Sequence, residues 1–596
     1  MFQTFEVTAR PEQGPPRLAA LRVEMAQEGL DGFLIPRADA HQGEYVAPRD
    51  ERLAWLTGFT GSAGFCAALT DVAGVFIDGR YRTQVKAQVA AEYTPVPWPD
   101  VSLGAWLKEQ LPDGGKVGFD PWLHSAGQIR AVQKELAGSG VELVRCANLV
   151  DRVWEDQPAP PMNPVKVHPI EFAGESAESK IDRLAQGLRE DGCAAAVITL
   201  PDSIMWLLNI RGSDIACNPV ARGFVILHSD GRVDLFMAAA KLEGLGDHFS
   251  SQVSVLDPGG FLNAVGALEG RVQVDPGTVP QIVADGLGDR MTDGGDPCAL
   301  PKARKNAAEI SGTAEAHLRD AAAVVELLRW LDGQVPGSLT ETQVVSRLEE
   351  CRRRDNALQD ISFDTIAGTG PNGAIMHYRV NEETDSRLQD GHLLVLDSGG
   401  QYLDGTTDIT RTIAIGDVGE EEKACFTRVL KGMIAMSMLR WPVGLAGRDI
   451  ECVARLPLWQ AGQDFNHGVG HGVGAYLSVH EGPQRLARVS HVPLEPGMIL
   501  SNEPGYYREG AFGIRLENLV VVEDAPALPG GDGERAMLNW RTLTYVPVDR
   551  RLIVVDLLTR EERAWLNAYH RDVAEKIRPR LGTDAQLWLD AATAPV

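Results

Sequence analysis

Five residues of metal-ligand type stand in one part of the chain, at or near Gly-rich turns that follow strand-like runs: Asp397, Asp408, His471, Glu503 and Glu517. Four carboxylates and one imidazole are hard, mostly oxygen donors. This set suits Mn²⁺, Fe²⁺ or Co²⁺ better than a structural zinc bound by thiolates. The residue types therefore predict a site for two metal ions.

The first two carboxylates have a second explanation. Asp397 follows four apolar residues, 393–396, and Asp408 opens the next run, so the two side chains can face each other across antiparallel strands. A buried, unpaired carboxylate is costly, and a shared cation would neutralise both. Alternatively, both are turn residues that accept hydrogen bonds from nearby backbone amides, as Asp often does beside Gly.

Three histidines lie close together in sequence. The segment HGVGHGVG (467–474) is too rich in glycine for a helix, so His467 and His471 do not form the i, i+4 pair of a zinc-binding helix. His480 adds a third imidazole to this neighbourhood. These histidines are either ligands and catalytic groups or hydrogen-bonded structural residues.

The last two carboxylates also have alternatives. Glu503 precedes Pro504, in a turn that fixes the direction of its side chain. Glu517 is predicted in the middle of a strand, on the same face as Arg515. A buried glutamate there needs a partner, which is either Arg515 or a metal.

The elements that position these residues can be read from the same region. Apolar or alternating runs at 392–397 and 408–415 predict neighbouring antiparallel strands, and two more strands are expected at 498–501 and 513–523. Capping boxes that begin at Thr340 and Thr559 predict helices, and a further helical pattern starts near residue 314. Helices flanking an antiparallel sheet indicate an α+β domain.

The N-terminal half contains an internal repeat. Residues 17–36 match 183–201 as an amphipathic helix followed by a buried strand, and 53–62 match 204–213. Two α/β domains of one fold explain this, and the proline-rich segment 157–169 is predicted to be an extended linker between them. The predicted domains are residues 1–157, 170–300 and 301–596.

Composition restricts the class of protein. Of 596 residues, 44% are apolar, and 57 basic against 82 acidic side chains give a net charge of −25, which weighs against nucleic acid as a partner. The eight cysteines form no CxxC pair, so reduced thiols are expected. We find no signal-peptide pattern and no apolar run long enough for a membrane helix, so we predict a cytoplasmic protein without membrane contact.

Five ordered motifs together resemble the Xaa-Pro aminopeptidases of the pita-bread metallopeptidases: LDSGGQYLDGTTDITRT (396–412), HGVGHGVG (467–474), VHEGP (479–483), NEPGYY (502–507) and FGIRLEN (512–518). The N-terminal repeat, with RGSDIACNPV (211–220), resembles the creatinase-like domains of that family's long, three-domain cytosolic form. The resemblance implies two creatinase-like N-terminal α/β domains followed by a C-terminal pita-bread α+β catalytic domain.

The resemblance also implies the ligand roles. Asp397 and Asp408 would bind the first metal, Asp408 and Glu517 would bridge, and His471 and Glu503 would complete the second. The two divalent ions would most often be Mn²⁺, with Co²⁺ or Zn²⁺ as alternatives. Glu503 would also orient or deprotonate the water that the two metals activate.

Further roles follow from the same resemblance. His377, in GAIMHYRV (373–380), and His480 would hydrogen-bond around the scissile carbonyl, while His467, Tyr507 and Arg515 would surround the proline ring. The implied activity is removal of the N-terminal residue from peptides with proline at the second position, by a homodimer.

Three rival functions share the fold. A prolidase that cleaves Xaa-Pro dipeptides has the same five ligands and remains an alternative. A methionine aminopeptidase lacks the duplicated N-terminal half. Pita-bread domains of some chromatin chaperones bind peptides or histones without metals, whereas all five ligands are present here.

Overall fold

The computed structural model describes residues 1–596, which form two compact units. One unit comprises Thr8–Ala299, and the other comprises Met1–Val7 together with Leu300–Val596. The N-terminal residues join the second unit because the Phe2 backbone N–H donates to the Glu349 carboxylate at 2.8 Å. Nothing in the sequence indicated this long-range contact.

The unit Thr8–Ala299 contains two six-stranded sheets of identical topology. In spatial order the first consists of Tyr93–Pro97, Ala73–Ile77, Phe65–Leu69, Gly32–Pro36, Gly115–Phe119 and Val141–Arg145. The second consists of Val253–Leu256, Val233–Phe236, Phe224–His228, Ala195–Ile198, Val272–Val274 and Met291–Asp293.

The repeat predicted from the sequence is confirmed by the strand pairing. In each sheet the strand of the repeated motif, Gly32–Pro36 or Ala195–Ile198, has one antiparallel and one parallel neighbour. The matching helices Gly14–Gln27 and Ala177–Glu190 precede these two strands. The other helices of this unit are Arg52–Thr57, Gln84–Gln88, Leu103–Gln110, Ala126–Leu136, Leu149–Val153, Ile170–Ala173, Pro201–Leu208, Phe261–Ala267 and Gln281–Leu287.

The predicted linker contains no helix or strand between residues 157 and 165. It ends in a two-residue strand, Lys166–Val167, that pairs with Ile210–Arg211. All eight cysteines of the chain are free thiols. None of the helices combines the length and the apolar composition needed to cross a lipid bilayer.

The C-terminal unit is built on antiparallel sheets. A three-stranded sheet contains Ile366–Thr369, Leu393–Ser398 and Ile409–Ala414, and a six-stranded sheet contains, in spatial order, Arg440–Pro442, Met537–Thr542, Asn518–Asp524, Ile499–Asn502, Gly470–Gly472 and Glu481–Leu486. Smaller sheets are formed by Leu358–Ile361, Gly400–Tyr402 and Gly405–Thr406, and by Gly505–Arg508 and Phe512–Arg515.

Helices surround these sheets, and their N-termini follow the expected capping rules. Thr340 and Thr559 make the predicted capping boxes, and the third helical pattern corresponds to Ala307–Asp332, capped by Asn306. The helices of this unit are Ala299–Ala303, Ala307–Asp332, Glu341–Arg352, Glu420–Ser437, Gly447–Ile450, Cys452–Trp459, Arg560–Ile577 and Thr583–Ala592.

One large apolar core holds the C-terminal unit together. Leu394 and Leu396, from the central strand, pack in the same buried cluster as Phe426 and Leu430 from the helix Glu420–Ser437. Burial of each such side chain contributes about 1.5–3 kcal/mol. The strands that carry polar residues at their ends are therefore rigidly supported.

One predicted strand is wrong. Residues 513–523 form two strands, Phe512–Arg515 and Asn518–Asp524, with Leu516 and Glu517 between them. The interruption arises because the Leu516 N–H donates to the Pro504 carbonyl and the Glu517 N–H donates to the Thr410 carbonyl. Glu517 therefore lies at a break and not in the middle of a strand, and the common face with Arg515 does not exist.

Candidate metal centre

Two neighbouring strands carry the first two carboxylates. Leu393–Ser398 and Ile409–Ala414 pair antiparallel as predicted, with Asp397 directly opposite Thr410. Asp408 stands two residues before Thr410, so period-two alternation directs both side chains to the face that Asp397 occupies. Asp397 and Asp408 are thus diagonal neighbours on one buried face.

Three of the predicted ligands converge closely. Donor atoms of Asp408, His471 and Glu517 all lie within 4.8 Å of one another. The His471 Nε2 atom lies 3.4 Å from Asp408 Oδ2 and 3.5 Å from Glu503 Oε1. The structure therefore brings residues from four separate segments of the chain to one point.

The carboxylates repel one another in this buried environment. Burial raises the pKa of Asp408 well above its ordinary value, and the negative charges of Asp397 and Glu503 raise it further. Burial likewise raises the pKa of Glu517, with Asp408 as the next cause. The pKa of Glu503 is also raised, chiefly by burial.

Two buried oxygens in this cluster accept no hydrogen bond from the protein: Asp397 Oδ1 and Glu517 Oε1. Buried polar atoms are rarely left unpaired, since the cost is about 1–3 kcal/mol each. Oxygen donors without partners, next to mutually repelling carboxylates and an imidazole, fit hard divalent cations. The residues present are thus suited to a metal centre.

Hydroxyl groups that the sequence reasoning missed orient these ligands. Thr410 Oγ1 donates to Glu517 Oε2 at 2.8 Å, and Ser501 Oγ donates to Glu503 Oε1 at 3.1 Å while accepting from the His471 backbone N–H at 2.9 Å. Thr410 follows Asp408 at period-two spacing, and this regularity could have identified it.

Arg515 has a different partner from the one considered for Glu517. Its Nη2 atom donates to Asp397 Oδ2 at 2.6 Å, and both side chains are buried. This contact excludes the turn-residue explanation for Asp397 and the Arg515 salt bridge for Glu517. The guanidinium instead holds Oδ2 of Asp397 and leaves Oδ1 unpaired.

The three residues predicted to surround the proline ring lie together. Arg515 Nη1 donates to the Tyr507 hydroxyl at 2.6 Å, and His467 Nε2 lies 3.0 Å from the same oxygen. The rings of His467 and Tyr507 meet edge to face, with centroids 5.5 Å apart. Through Arg515 this group is continuous with the metal centre.

His480 lies beside the predicted ligand His471, with ring centroids 4.3 Å apart, and its side chain is exposed. The following residue, Glu481, is buried and forms ion pairs with Lys302 and Lys305. These charges anchor the segment that carries His480.

His377 lies in a turn that follows a segment packed against the hairpin that carries Arg515. A Cβ atom at Gly513 would lie 1.7 Å from the Gly373 carbonyl oxygen, so only glycine permits this close approach. The neighbouring Tyr378 donates its hydroxyl to Glu341 Oε2 at 2.9 Å. Glu341, which the sequence reasoning also missed, thus anchors the turn that presents His377.

Family comparisons cover nearly the whole chain. Residues 17–153 and 156–309 match models of the creatinase/prolidase N-terminal domain, residues 311–524 match metallopeptidase family M24, and residues 536–596 match the C-terminal region of peptidase M24.

The similarity to known proteins extends over most of the chain. Aminopeptidase P2 from Arabidopsis thaliana is 38% identical over 95% of this chain and 86% of its own length. A probable Xaa-Pro aminopeptidase P from Laccaria bicolor is 37% identical over 97% of this chain and 93% of its own length. The chain also superposes on the crystal structure of X-prolyl aminopeptidase from Caenorhabditis elegans, which is described as a cytosolic enzyme with a di-nuclear active site. The TM-score is 0.93 at 32% identity, over 98% of this chain and 99% of that chain.

The match to family M24 covers the segment that carries the carboxylate cluster. The chain is therefore a hydrolase of the metallopeptidase class. The chain belongs to metallopeptidase family M24, and within it to the Xaa-Pro aminopeptidases that have two creatinase-like N-terminal domains. The expected fold, two such α/β domains followed by a pita-bread α+β catalytic domain, is confirmed.

Proposed function

We propose that this chain is a metal-dependent aminopeptidase that hydrolyses the bond between an N-terminal residue and a proline at the second position of a peptide. The observation that carries the proposal is the buried cluster of Asp408, His471 and Glu517, which lies in a chain similar to Xaa-Pro aminopeptidases over nearly its full length. Its substrates are peptides, and nucleic acid is not a partner.

We assign the five predicted ligands to two divalent cations. Asp397 and Asp408 would hold the first, Asp408 and Glu517 would be shared by both, and His471 and Glu503 would complete the second. Bound cations of this kind polarise a carbonyl and lower the pKa of water, effects that reduce the barrier by several kcal/mol. Mn²⁺ is the proposed metal, because oxygen donors dominate the set, with Co²⁺ or Zn²⁺ as alternatives.

Protein side chains then move and hold protons. Glu503, whose pKa is raised chiefly by burial, is suited to accept the proton of the attacking water. His480 and His377 donate hydrogen bonds to the carbonyl oxygen as negative charge develops on it. These bonds strengthen toward the transition state, so they raise the rate more than they improve substrate binding.

The proline ring needs its own pocket. An Xaa-Pro bond is a tertiary amide without an N–H, so the substrate cannot dock by the extended hydrogen bonding that other peptides use. His467, Tyr507 and Arg515 supply a preorganised surface for this ring, fixed by the two contacts to the Tyr507 hydroxyl at 2.6 and 3.0 Å.

A hydrolysis assay tests the proposal and separates it from a prolidase. Chelator-stripped protein is supplied with Mn²⁺, Co²⁺ or Zn²⁺ separately and then given Xaa-Pro-Yaa tripeptides or Xaa-Pro dipeptides. We expect efficient release of Xaa from tripeptides, with Mn²⁺ giving the highest rate. Cleavage of dipeptides alone would assign the chain to the prolidases, and no cleavage with any metal would refute the proposal.

We also propose the domain division 1–157, 170–300 and 301–596, a cytoplasmic location and a homodimer. The two N-terminal domains carry none of the five ligands, which fits a role in assembly and in restricting access to the site. Closed two-fold dimers are the commonest oligomers. Light scattering at micromolar concentration tests the dimer, and a monomeric mass would exclude it.

A further inference from the structure

Arg411 is a buried cation that the proposed catalytic roles do not use. It stands three residues after the ligand Asp408, in the strand Ile409–Ala414, and its side chain is 2% exposed. All three guanidinium nitrogens donate hydrogen bonds, and their acceptors are carbonyl, amide or hydroxyl oxygens. Because Arg has a planar fork of five donors, one side chain can tie several segments together.

The first group of acceptors lies next to the metal centre. Arg411 Nη1 donates to the Thr410 carbonyl at 2.7 Å and to the Glu517 carbonyl at 2.6 Å. Arg411 Nη2 donates to Asn518 Oδ1 at 2.8 Å. The guanidinium therefore holds the backbone of the bridging ligand Glu517 against the strand that follows Asp408.

The second group of acceptors lies in residues 536–596, which match the C-terminal region of peptidase M24. Arg411 Nη2 donates to the Val546 carbonyl at 2.7 Å and to the Tyr569 hydroxyl at 2.8 Å, and Nε donates to the Pro547 carbonyl at 3.2 Å. One side chain thus connects the metal centre to the C-terminal region.

Tyr569 is itself held firmly. It lies in the helix Arg560–Ile577 and stacks on Trp565, with ring centroids 5.3 Å apart. Its hydroxyl accepts from the Val546 N–H at 3.2 Å and donates to the Val546 carbonyl at 2.8 Å. The next residue, His570, accepts from the Val548 N–H at 3.2 Å. The helix therefore fixes two of the three acceptors that Arg411 uses in this region, the Tyr569 hydroxyl and the Val546 carbonyl.

Glu517 depends on these contacts more than an ordinary strand residue would. It lies at the break between two strands, where no regular ladder holds it. Its N–H donates to the Thr410 carbonyl and its carbonyl accepts from Arg411. Loss of the Arg411 contact would leave the Glu517 carbonyl unpaired and free the backbone to shift the carboxylate.

We propose that Arg411 and Tyr569 are positioning residues through which the C-terminal region, residues 536–596, sets the geometry of Glu517 and so the affinity of the metal centre. The inference rests on the proposed metal site. Residues that orient metal ligands from behind typically change affinity by about 10–100-fold when they are replaced.

The test measures Mn²⁺ affinity of the full-length, metal-stripped protein by calorimetric titration, without peptide. Tyr569→Phe keeps the ring on Trp565 and removes only the hydroxyl; we expect its Kd to rise about tenfold. Arg411→Lys keeps the positive charge but lacks the planar array of five N–H donors, and we expect its Kd for Mn²⁺ to rise about 30-fold or more. Tyr545→Phe is the matched control, since its hydroxyl donates to Thr542 and does not bind Arg411; its Kd should stay within about twofold.

Thermal unfolding of the same metal-free variants separates positioning from general stabilisation. A lowered Tm together with a wild-type Kd in both Tyr569→Phe and Arg411→Lys would overturn the proposal, because the contacts would then be merely structural. If Arg411→Lys does not fold, the Kd of Tyr569→Phe decides. Wild-type protein that binds two Mn²⁺ without cleaving Xaa-Pro peptides would refute the proposed function and leave this comparison intact.

Discussion

Buried acidic residues have opposite surroundings at two places in the molecule, one in each unit. In Thr8–Ala299, Asp50 pairs with Arg52 at 2.9 Å and with Arg222 at 2.8 Å, and Asp214 pairs with Lys241. In the C-terminal unit, Asp408 and Glu517 are surrounded by other carboxylates that raise their pKa values beyond the effect of burial.

The difference between paired and mutually repelling carboxylates distinguishes structural sites from a candidate metal site. A buried carboxylate whose two oxygens are both paired with cations, as in Asp50, has already recovered much of its desolvation cost within the protein, whereas Arg515 pairs with only one oxygen of Asp397. Carboxylates that face one another, with Glu517 Oε1 left unpaired, recover that cost only when a cation arrives. The two kinds of site should therefore respond in opposite ways to neutralising substitutions.

The largest effect should come from neutralising a bridging ligand. Asp408→Asn or Glu517→Gln removes a charge that two cations share, so we expect loss of metal and a fall in kcat/KM of about 10⁴-fold or more. The metal-free variants should be more stable than metal-free wild type, because repulsion among the carboxylates is relieved. Metal analysis and thermal unfolding measure both effects.

The matched substitution in the other unit is Asp214→Asn. It leaves Lys241 buried without its carboxylate, so we expect a loss of about 3–5 kcal/mol in the free energy of unfolding. Metal content per folded molecule should not change. An Asp408→Asn protein with two metals and normal turnover would show that the contrast between the units is not functional.

The second effect concerns histidines that hold no metal in the proposed site. His480→Ala and His377→Ala should retain both ions and lose about 10²–10³-fold in kcat, the range for one transition-state hydrogen-bond donor. His491→Ala is a suitable control, because this exposed histidine lies beside Arg448, outside the group of residues that forms the site. Unchanged kcat in both test variants would make those histidines structural.

Sequence alone predicted the features that depend on local pattern. The repeat could be found because helix, turn and strand signals recur in order, and the strands that carry Asp397 and Asp408 could be paired because apolar runs flank Gly-rich turns. Sequence alone could not predict the break at Glu517 or the pairing of Arg515 with Asp397, since both depend on contacts between residues far apart in sequence. The attachment of Met1–Val7 to the C-terminal unit could not be predicted for the same reason.

The third effect is a coupling between metal and protons. Because the pKa values of Asp408, Glu503 and Glu517 are raised in the metal-free protein, binding of cations must displace protons from them. Mn²⁺ affinity should therefore increase with pH. Calorimetric titration at pH 6.5 in two buffers of different ionisation enthalpy measures the released protons, and equal heats in both buffers would contradict the expectation.

The same shifts fix the sign of the stability profile. A carboxyl whose pKa is raised by folding binds more protons in the folded state than in the unfolded state. The contribution of these three carboxyl groups to the stability of the metal-free protein is then greatest below their unfolded pKa and is lost as the pH rises through their folded pKa. Added Mn²⁺ should reverse this trend, because it favours the ionised carboxylates.

The smallest effect should come from Glu341, which anchors the turn next to His377. Burial raises its pKa to about 7 from an ordinary value of 4.5, although backbone N–H groups of Thr369 and Ser386 donate to it and oppose the rise. The shift corresponds to about 3 kcal/mol. Glu341→Gln should retain both metals and lose only about tenfold in kcat, the lower end of the range for a residue that supports a functional group from behind.

The pH dependence of this variant makes the test specific. Since the folded pKa lies above the unfolded pKa, wild type should be most stable relative to Glu341→Gln below pH 4.5 and lose up to about 3 kcal/mol of that advantage by pH 7. Denaturant unfolding of the metal-free proteins at several pH values measures the difference. Glu350→Gln, an exposed position in the same helix, is the control variant for removal of a carboxyl group. A difference that does not change with pH for Glu341→Gln would contradict the expectation, because it would mean that folding leaves the pKa of this carboxyl group unchanged.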